Sequence, residues 1–227
     1  MSLILQIETA TDICSVVLAQ NGKAIGSVND AGARNHASVL VPAIQHLIQS
    51  AGLKMEHIDA VAVSKGPGSY TGLRIGVATA KGICLALEKP LIAINTLESM
   101  AAWYSKQHPK NQSKICPMID ARRMEVYTAL FSKTIDTVLD TQALLLDENS
   151  FSEHLAQGPV IFIGNGTDKF QKLLQGHHNA LFVNNFHPNA EGMSAIALNL
   201  FQEKRFESVA YFEPFYLKDF YTPQRRL

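Results

Sequence analysis

The chain has no excess of either charge. Twenty lysines and arginines balance twenty aspartates and glutamates among 227 residues, and only 18% of the chain is charged. A general nucleic-acid binder needs a basic stripe to neutralise phosphates, and none is visible. Near-zero net charge also leaves little self-repulsion to oppose association. Cysteine is scarce: Cys14, Cys84 and Cys116 are odd in number, far apart and without a Cys-x-x-Cys pair. A disulfide framework does not fit that pattern, whereas buried thiols in a reducing compartment do. The eight histidines include no two that lie three to five residues apart, so no pair sits on one helix face to hold a metal. No apolar run approaches the about 20 residues that cross a bilayer. The opening stretch Met1–Glu8 carries no basic leader and is interrupted by Gln6 and Glu8. The expectation is a cytoplasmic protein with no membrane contact.

What is present is enough apolar matter for a core, at 47% of residues. Leu3 to Thr9, Ile13 to Ala19 and Lys23 to Val28 read as three strands, the last two joined at Asn21-Gly22, a hairpin signal because both residues tolerate positive φ. His36 to Ala51 has apolar residues at spacings of three and four, which predicts a helix stopped by Gly52. A strand over Asp59–Val63, a glycine-rich loop, a helix over Leu73–Leu87, a strand over Leu91–Ile94 and a helix over Thr96–Lys106 follow. The polar stretch His108–Lys114 is the best candidate boundary, which divides the chain into 1–108 and 109–227. After it the pattern partly restarts. Ile115–Ile119, Glu125–Ser132 and Val138–Leu146 are strands, Phe151–Ala156 a short helix, Val160–Ile163 a strand, and Asp168–Leu174 and Ala195–Phe206 helices. Strands alternating with helices place the chain in the α/β class.

The loop Gly66-Pro67-Gly68-Ser69-Tyr70-Thr71-Gly72 lies between strand and helix, where backbone amides can hold an anion. Its spacing excludes a Walker loop: Gly68 and Gly72 enclose three residues, and Leu73-Arg74 follows. The bland reading is a tight turn. Ser64 in Val63-Ser64-Lys65-Gly66 comes near a nucleophile elbow, but Pro67 and Gly68 intervene before the helix. Gly72, Gly76 and Ala80 fall four apart on one helix face. Interior glycine costs about 1 kcal/mol relative to alanine, so the face needs close approach by a neighbour. That neighbour is either the chain's own sheet or another subunit. In the second reading the interface comprises Gly72, Ile75, Gly76, Thr79, Ala80 and Ile83, with Val39 and Ala43 of the preceding helix.

Four blocks carry a resemblance. The strand Ile4-Leu5-Gln6-Ile7-Glu8-Thr9-Ala10-Thr11, the run from Gly66 to Gly76, and Ile119-Asp120-Ala121-Arg122-Arg123-Met124-Glu125-Val126-Tyr127 resemble the TsaB (YeaZ) family, as does Glu213-Pro214-Phe215-Tyr216-Leu217. The resemblance implies an actin/Hsp70/sugar-kinase (ribonuclease H-like) fold, with two related halves that each open on a three-strand meander. It also implies a non-catalytic subunit. The partner is TsaD, which transfers threonylcarbamoyl to the adenosine beside the anticodon of ANN-decoding tRNAs. An ATPase, TsaE, joins the complex, and TsaC makes the donor. The family self-associates through its first two helices, the surface also used for TsaD, and tRNA contact is indirect. In TsaD two histidines of an Asn-His-Leu-Glu-Gly-His segment bind metal. Here Thr96 and Met100 stand in their places, and no metal or cofactor is expected. Glu8, Thr9, Thr11 and Asp120 stand where relatives of the fold line a nucleotide cleft; turn and cap roles are the alternative. The competing function is a stand-alone ATPase or small-molecule kinase, with Gly164-Asn165-Gly166 as its second phosphate loop. A direct tRNA binder would rest on Arg122-Arg123 and Arg225-Arg226 alone.

Overall fold

The computed structural model describes residues 1–30, 35–184 and 186–218. Two five-stranded sheets form its frame. The first contains β1 (Leu3–Glu8), β2 (Cys14–Gln20), β3 (Lys23–Asp30), β4 (Ala60–Gly66) and β5 (Leu91–Asn95), in the order β3-β2-β1-β4-β5. The second contains β6 (Lys114–Asp120), β7 (Glu125–Phe131), β8 (Thr137–Leu145), β9 (Val160–Ile163) and β10 (Ala180–Val183), in the order β8-β7-β6-β9-β10. The two orders are the same. In each, an antiparallel meander leads to a central strand that pairs in parallel with the next. Asn21 and Gly22 have φ of 50° and 76°, the left-handed pair a two-residue hairpin turn requires.

Among the described residues six α-helices cover the sheets: α1 (His36–Ser50), α2 (Tyr70–Leu87), α3 (Thr96–Gln107), α4 (Ser152–Ala156), α5 (Thr167–Leu173) and α6 (Ser194–Gln202). Strand β1 is buried along its whole length. Leu3, Leu5 and Ile7 meet the apolar faces of α1 and α2, and Ile4 meets α6. Burial on both faces explains its nearly unbroken apolar run. Strand β3, at the edge, alternates exposed and half-buried residues. Two helices cross over. Helix α3 follows β5 in sequence, yet Leu97, Met100, Ala101 and Tyr104 pack with Ile115, Ile119, Ala129 and Phe131 of the second sheet. Helix α6 follows the second sheet, yet Ala197, Ile196 and Leu200 pack on Ile4, Ala60, Ala62 and Ile92 of the first. The two sheets thus share one strand order, while a helix that follows each in sequence packs against the other.

The structure adds features that periodicity does not reveal. Strand β10 is four residues long and escapes a period-two reading. Helix α2 begins at Tyr70, three residues before the periodic stretch, because the Ser69 hydroxyl accepts the Gly72 amide at 3.3 Å as an N-cap. Helix α6 ends at Gln202, and Lys204 beyond it is left-handed, with φ 55°. The following chain returns to the free edge of β5, where the Glu207 amide donates to the Leu91 carbonyl at 2.9 Å.

The first turns of α2 lie directly on the β1–β2 turn. A Cβ on Gly72 would sit 2.1 Å from the Thr9 carbonyl oxygen, and one on Gly76 2.2 Å from Thr9 Oγ1. Gly82, farther along the same helix, has nothing within 4 Å. Gly72→Ala is therefore expected to lower unfolding stability by about 1–3 kcal/mol through overpacking against backbone. Gly82→Ala is expected to raise it by up to about 1 kcal/mol through helix propensity. Denaturant midpoints of the two variants check both signs.

Candidate functional site

The β1–β2 turn and the loop entering α2 close on one another. The Ser69 amide donates to the Ala10 carbonyl at 2.7 Å, and Thr9 Oγ1 donates to the Gly72 carbonyl at 2.8 Å. A Cβ on Gly68 would lie 2.3 Å from the same Ala10 oxygen. His36, at the start of α1, donates from Nε2 to the Thr11 carbonyl at 2.7 Å and is itself buried. Glu8 and Thr9 are fully buried and Thr11 nearly so. The chain's own glycine loop packs directly against this turn. Glu8 Oε1 accepts the Ala10 amide at 2.6 Å, while Oε2 is buried without a hydrogen bond. Burial pushes the Glu8 carboxyl up from 4.5 to about 7, against smaller downward pulls from the Ala10 amide, the Ser64 hydroxyl and the Thr9 amide.

Asp120 ends the central strand of the other sheet and has separate partners. Its Oδ1 accepts the Arg122 amide at 2.8 Å, its own amide donates to Asn165 Oδ1 at 2.9 Å, and it forms an ion pair with Lys169. The Lys169 Nζ also donates to the carbonyls of Arg123 and Glu125, both at 2.8 Å. Gly164 and Gly166 press on β6: a Cβ on Gly164 would lie 2.2 Å from the Met118 carbonyl oxygen. Of the four residues anticipated as a nucleotide cleft, Glu8, Thr9 and Thr11 are buried at the β1–β2 turn, and Asp120 lies at the end of β6 paired with Lys169.

Other nucleophiles and ligands are equally enclosed. Ser64 is fully buried. Burial pushes the Cys14 and Cys84 thiols up to about 11 and Cys116 to about 12, so none is a thiolate near neutral pH. Thr96 and Met100 are core residues. Among the described residues no group of three or more His, Cys, Asp or Glu could hold a metal ion.

The glycine face of α2 turns inward. Gly72, Gly76 and Ala80 are buried on the chain's own turn and sheet, as is Ala43 of α1. Ile75, Ile83 and Val39 are half-buried at the edge of the same core, and Thr79 is half-buried. The outer faces of the two helices, which pack side by side, carry other residues. Val41, 46% exposed, and Pro42 project from α1, and Ala78, Gly82 and Leu85, 75% exposed, from α2. Helix α1 contains no Asp, Glu, Lys or Arg, and α2 contains only Arg74 and Lys81. Both are held by the C-terminal segment. Lys81 Nζ donates to the carbonyls of Ala210 and Phe212 at 3.2 and 2.9 Å. The Arg74 guanidinium lies 4.3 Å from the Tyr70 ring centre and donates from Nε to the Tyr216 hydroxyl at 3.3 Å. An exposed helix pair this short of charge is the composition of an interface core. Leu85 and Val41 are missed by a search for small-residue spacing; the charge gap from Ala37 to Ile48 was the available signal. Arg225 and Arg226 lie outside the described residues.

Known proteins resemble the chain along nearly its whole length. Residues 14–223 match a family model described as TsaD: tRNA N6-adenosine threonylcarbamoyltransferase. The tRNA threonylcarbamoyladenosine biosynthesis protein TsaB of Escherichia coli is 32% identical over 226 residues, covering 95% of this chain and 94% of that one. The solved structure of YeaZ from Pseudomonas aeruginosa superposes with a TM-score of 0.83 at 26% identity, covering 96% of this chain and all of that one. The polyphosphate/ATP-glucomannokinase of an Arthrobacter strain superposes with a TM-score of 0.51 at 9% identity, over 88% of this chain and 99% of its own, a likeness of fold: the sugar-kinase-like α/β arrangement of two lobes.

The buried Glu8 carboxyl has a pH signature. Unfolded chain releases this proton near 4.5, whereas folded chain holds it until about 7. Between those values the folded state binds more protons, so stability falls as pH rises and levels off above. The fall is roughly 3 kcal/mol. Chemical denaturation from about pH 4 to about pH 8 is expected to show it in the parent and not in Glu8→Gln; an unchanged slope in the variant would assign the effect elsewhere.

Proposed function

The chain belongs to the TsaB (YeaZ) family, and from that premise we propose that it is the non-catalytic partner of TsaD in forming N6-threonylcarbamoyladenosine. A role in tRNA threonylcarbamoyladenosine biosynthesis comes with the family. The finer role rests on one observation above all: the outer face of α1 and α2 is nearly free of charge and exposes Val41, Pro42, Ala78 and Leu85. The two charges it has are tied down by the chain's own C-terminal segment.

This face binds TsaD, and in its absence a second copy of the chain, so that the isolated protein is a homodimer. TsaE, the ATPase, joins the pair, and tRNA is contacted through TsaD. The whole assembly works in the cytoplasm. Two further features support a role without catalysis. Thr96 and Met100 stand where the catalytic relative has histidine ligands. A threonine hydroxyl is a poor ligand for such a site, and a thioether favours soft ions. Gly68 and Gly72 pack directly on the β1–β2 turn, where Glu8 and Thr9 are fully buried, which weighs against a stand-alone ATPase or kinase.

Reconstitution tests the reading. TsaC, TsaD, TsaE, ATP, threonine, bicarbonate and tRNA are mixed with and without this chain. Modification is expected to require it. Leu85→Asp buries a charge in an interface core and is expected to weaken the complex by at least about tenfold, with activity falling in step. Leu85 is exposed, so folding is expected to be unaffected. Full modification without the chain would refute the partner role.

A further inference from the structure

A cavity of about 390 Å³ opens away from the helix pair, and no residue of α1 or α2 lines it. It lies at the carboxyl ends of β4 and β5, where open α/β sheets place ligand crevices. Lys65, Asn95 and Glu98 face it from the first sheet and the start of α3. Asp140 and Thr141 face it from β8, and Phe215 from the C-terminal segment. Its walls are tied together. Asn95 Nδ2 donates to Thr141 Oγ1 at 2.9 Å, and Asn95 Oδ1 accepts the Leu97 and Glu98 amides at 2.9 and 3.3 Å. The Phe215 amide donates to the Lys65 carbonyl at 2.7 Å.

The charged groups on these walls are not tied. Neither the Lys65 ammonium, the Glu98 carboxylate nor the Asp140 carboxylate forms an ion pair or side-chain hydrogen bond with a described residue. Glu98 is half-buried, and burial raises its carboxyl while the nearby charges of Lys65 and then Arg205 pull it down. Lys65 and Glu98 are therefore close enough to interact and too far apart to pair, with open space beside them. A half-buried carboxylate gains from a partner, and the described residues supply none in contact.

We propose that this cavity binds a small zwitterion, a free α-amino acid, with its carboxylate on Lys65 and its ammonium between Glu98 and Asp140. The class follows from the signs. A simple anion would face two carboxylates, and a simple cation would face Lys65. A molecule carrying both charges on one carbon answers all three groups. The volume leaves room for a side chain against Thr141 and Phe215. The site is independent of the partner reading and is measured on the isolated chain.

Isothermal titration of the full chain with free L-amino acids, one at a time, tests it. Any that binds is then compared with its decarboxylated amine and its deaminated acid. At least one amino acid is expected to bind, with both analogues at least about tenfold weaker. Lys65→Met and Glu98→Gln are each expected to weaken binding at least about tenfold, with circular dichroism unchanged. Asp140→Asn, on the exposed rim, gives the same reading should Glu98→Gln misfold, and the analogue comparison needs no variant. Binding by no amino acid, equal binding of the amine alone, or affinity that survives all three substitutions would overturn the assignment.

Discussion

The arrangement of the first sheet depends on backbone meeting backbone where Thr9 and Ala10 lie against the first turns of α2. Glycine at 68, 72 and 76 is what permits the approach, since a Cβ at any of them would fall within 2.3 Å of an atom of Thr9 or Ala10. The Ser69 amide and the Thr9 hydroxyl then lock the contact with two hydrogen bonds, that of Thr9 buried. Two consequences follow. Glu8 is drawn out of water. Helix α2 is fixed in rotation, so its remaining face, with Leu85 and Ala78, points outward beside α1.

The second sheet repeats this device in reduced form. Its loop from β9 into α5 uses Gly164 and Gly166 to press on the Met118 backbone, at the topological position that Gly66–Gly72 occupies in the first. Its central carboxylate, Asp120, is however half-exposed and paired with Lys169. The exchange of α3 and α6 welds the two sheets, because each supplies the apolar layer the other lacks. A scaffold built this way is suited to presenting a fixed surface. The C-terminal segment adds to it by running from the β5 edge along α2 and bringing Lys218 into an ion pair with Glu125 of the second sheet.

Much of the fold was legible because its signals are local. Asn21-Gly22, the spacing of Leu40, Ile44, Leu47 and Ile48, and the apolar runs of β1, β4 and β9 each fix an element without reference to the rest. The partial restart after His108 was visible for the same reason. What escaped was tertiary. The four residues of β10 carry too short a pattern to stand out. Spacing alone did not tell whether Gly72, Gly76 and Ala80 meet the chain's own turn or another subunit, because both need the same small residues. The cavity beside Lys65 and Glu98 gathers residues from β4, α3, β8 and the C-terminal segment, and no linear motif joins them. The Tyr70–Arg74–Tyr216 cluster was half visible, since two of its members fall in the glycine-rich block and the third in Glu213–Leu217.

The claim that carries the functional account is that the outer face of α1 and α2 is where TsaD docks. Hydroxyl-radical footprinting of the chain, dilute enough to be monomeric and then with TsaD added, tests it side chain by side chain. The account predicts that Leu85, Val41 and Pro42 lose reactivity in the complex while Met124 at the β6–β7 turn keeps it. Leu85 and Val41 remaining fully reactive in a complex that protects Met124 would contradict it.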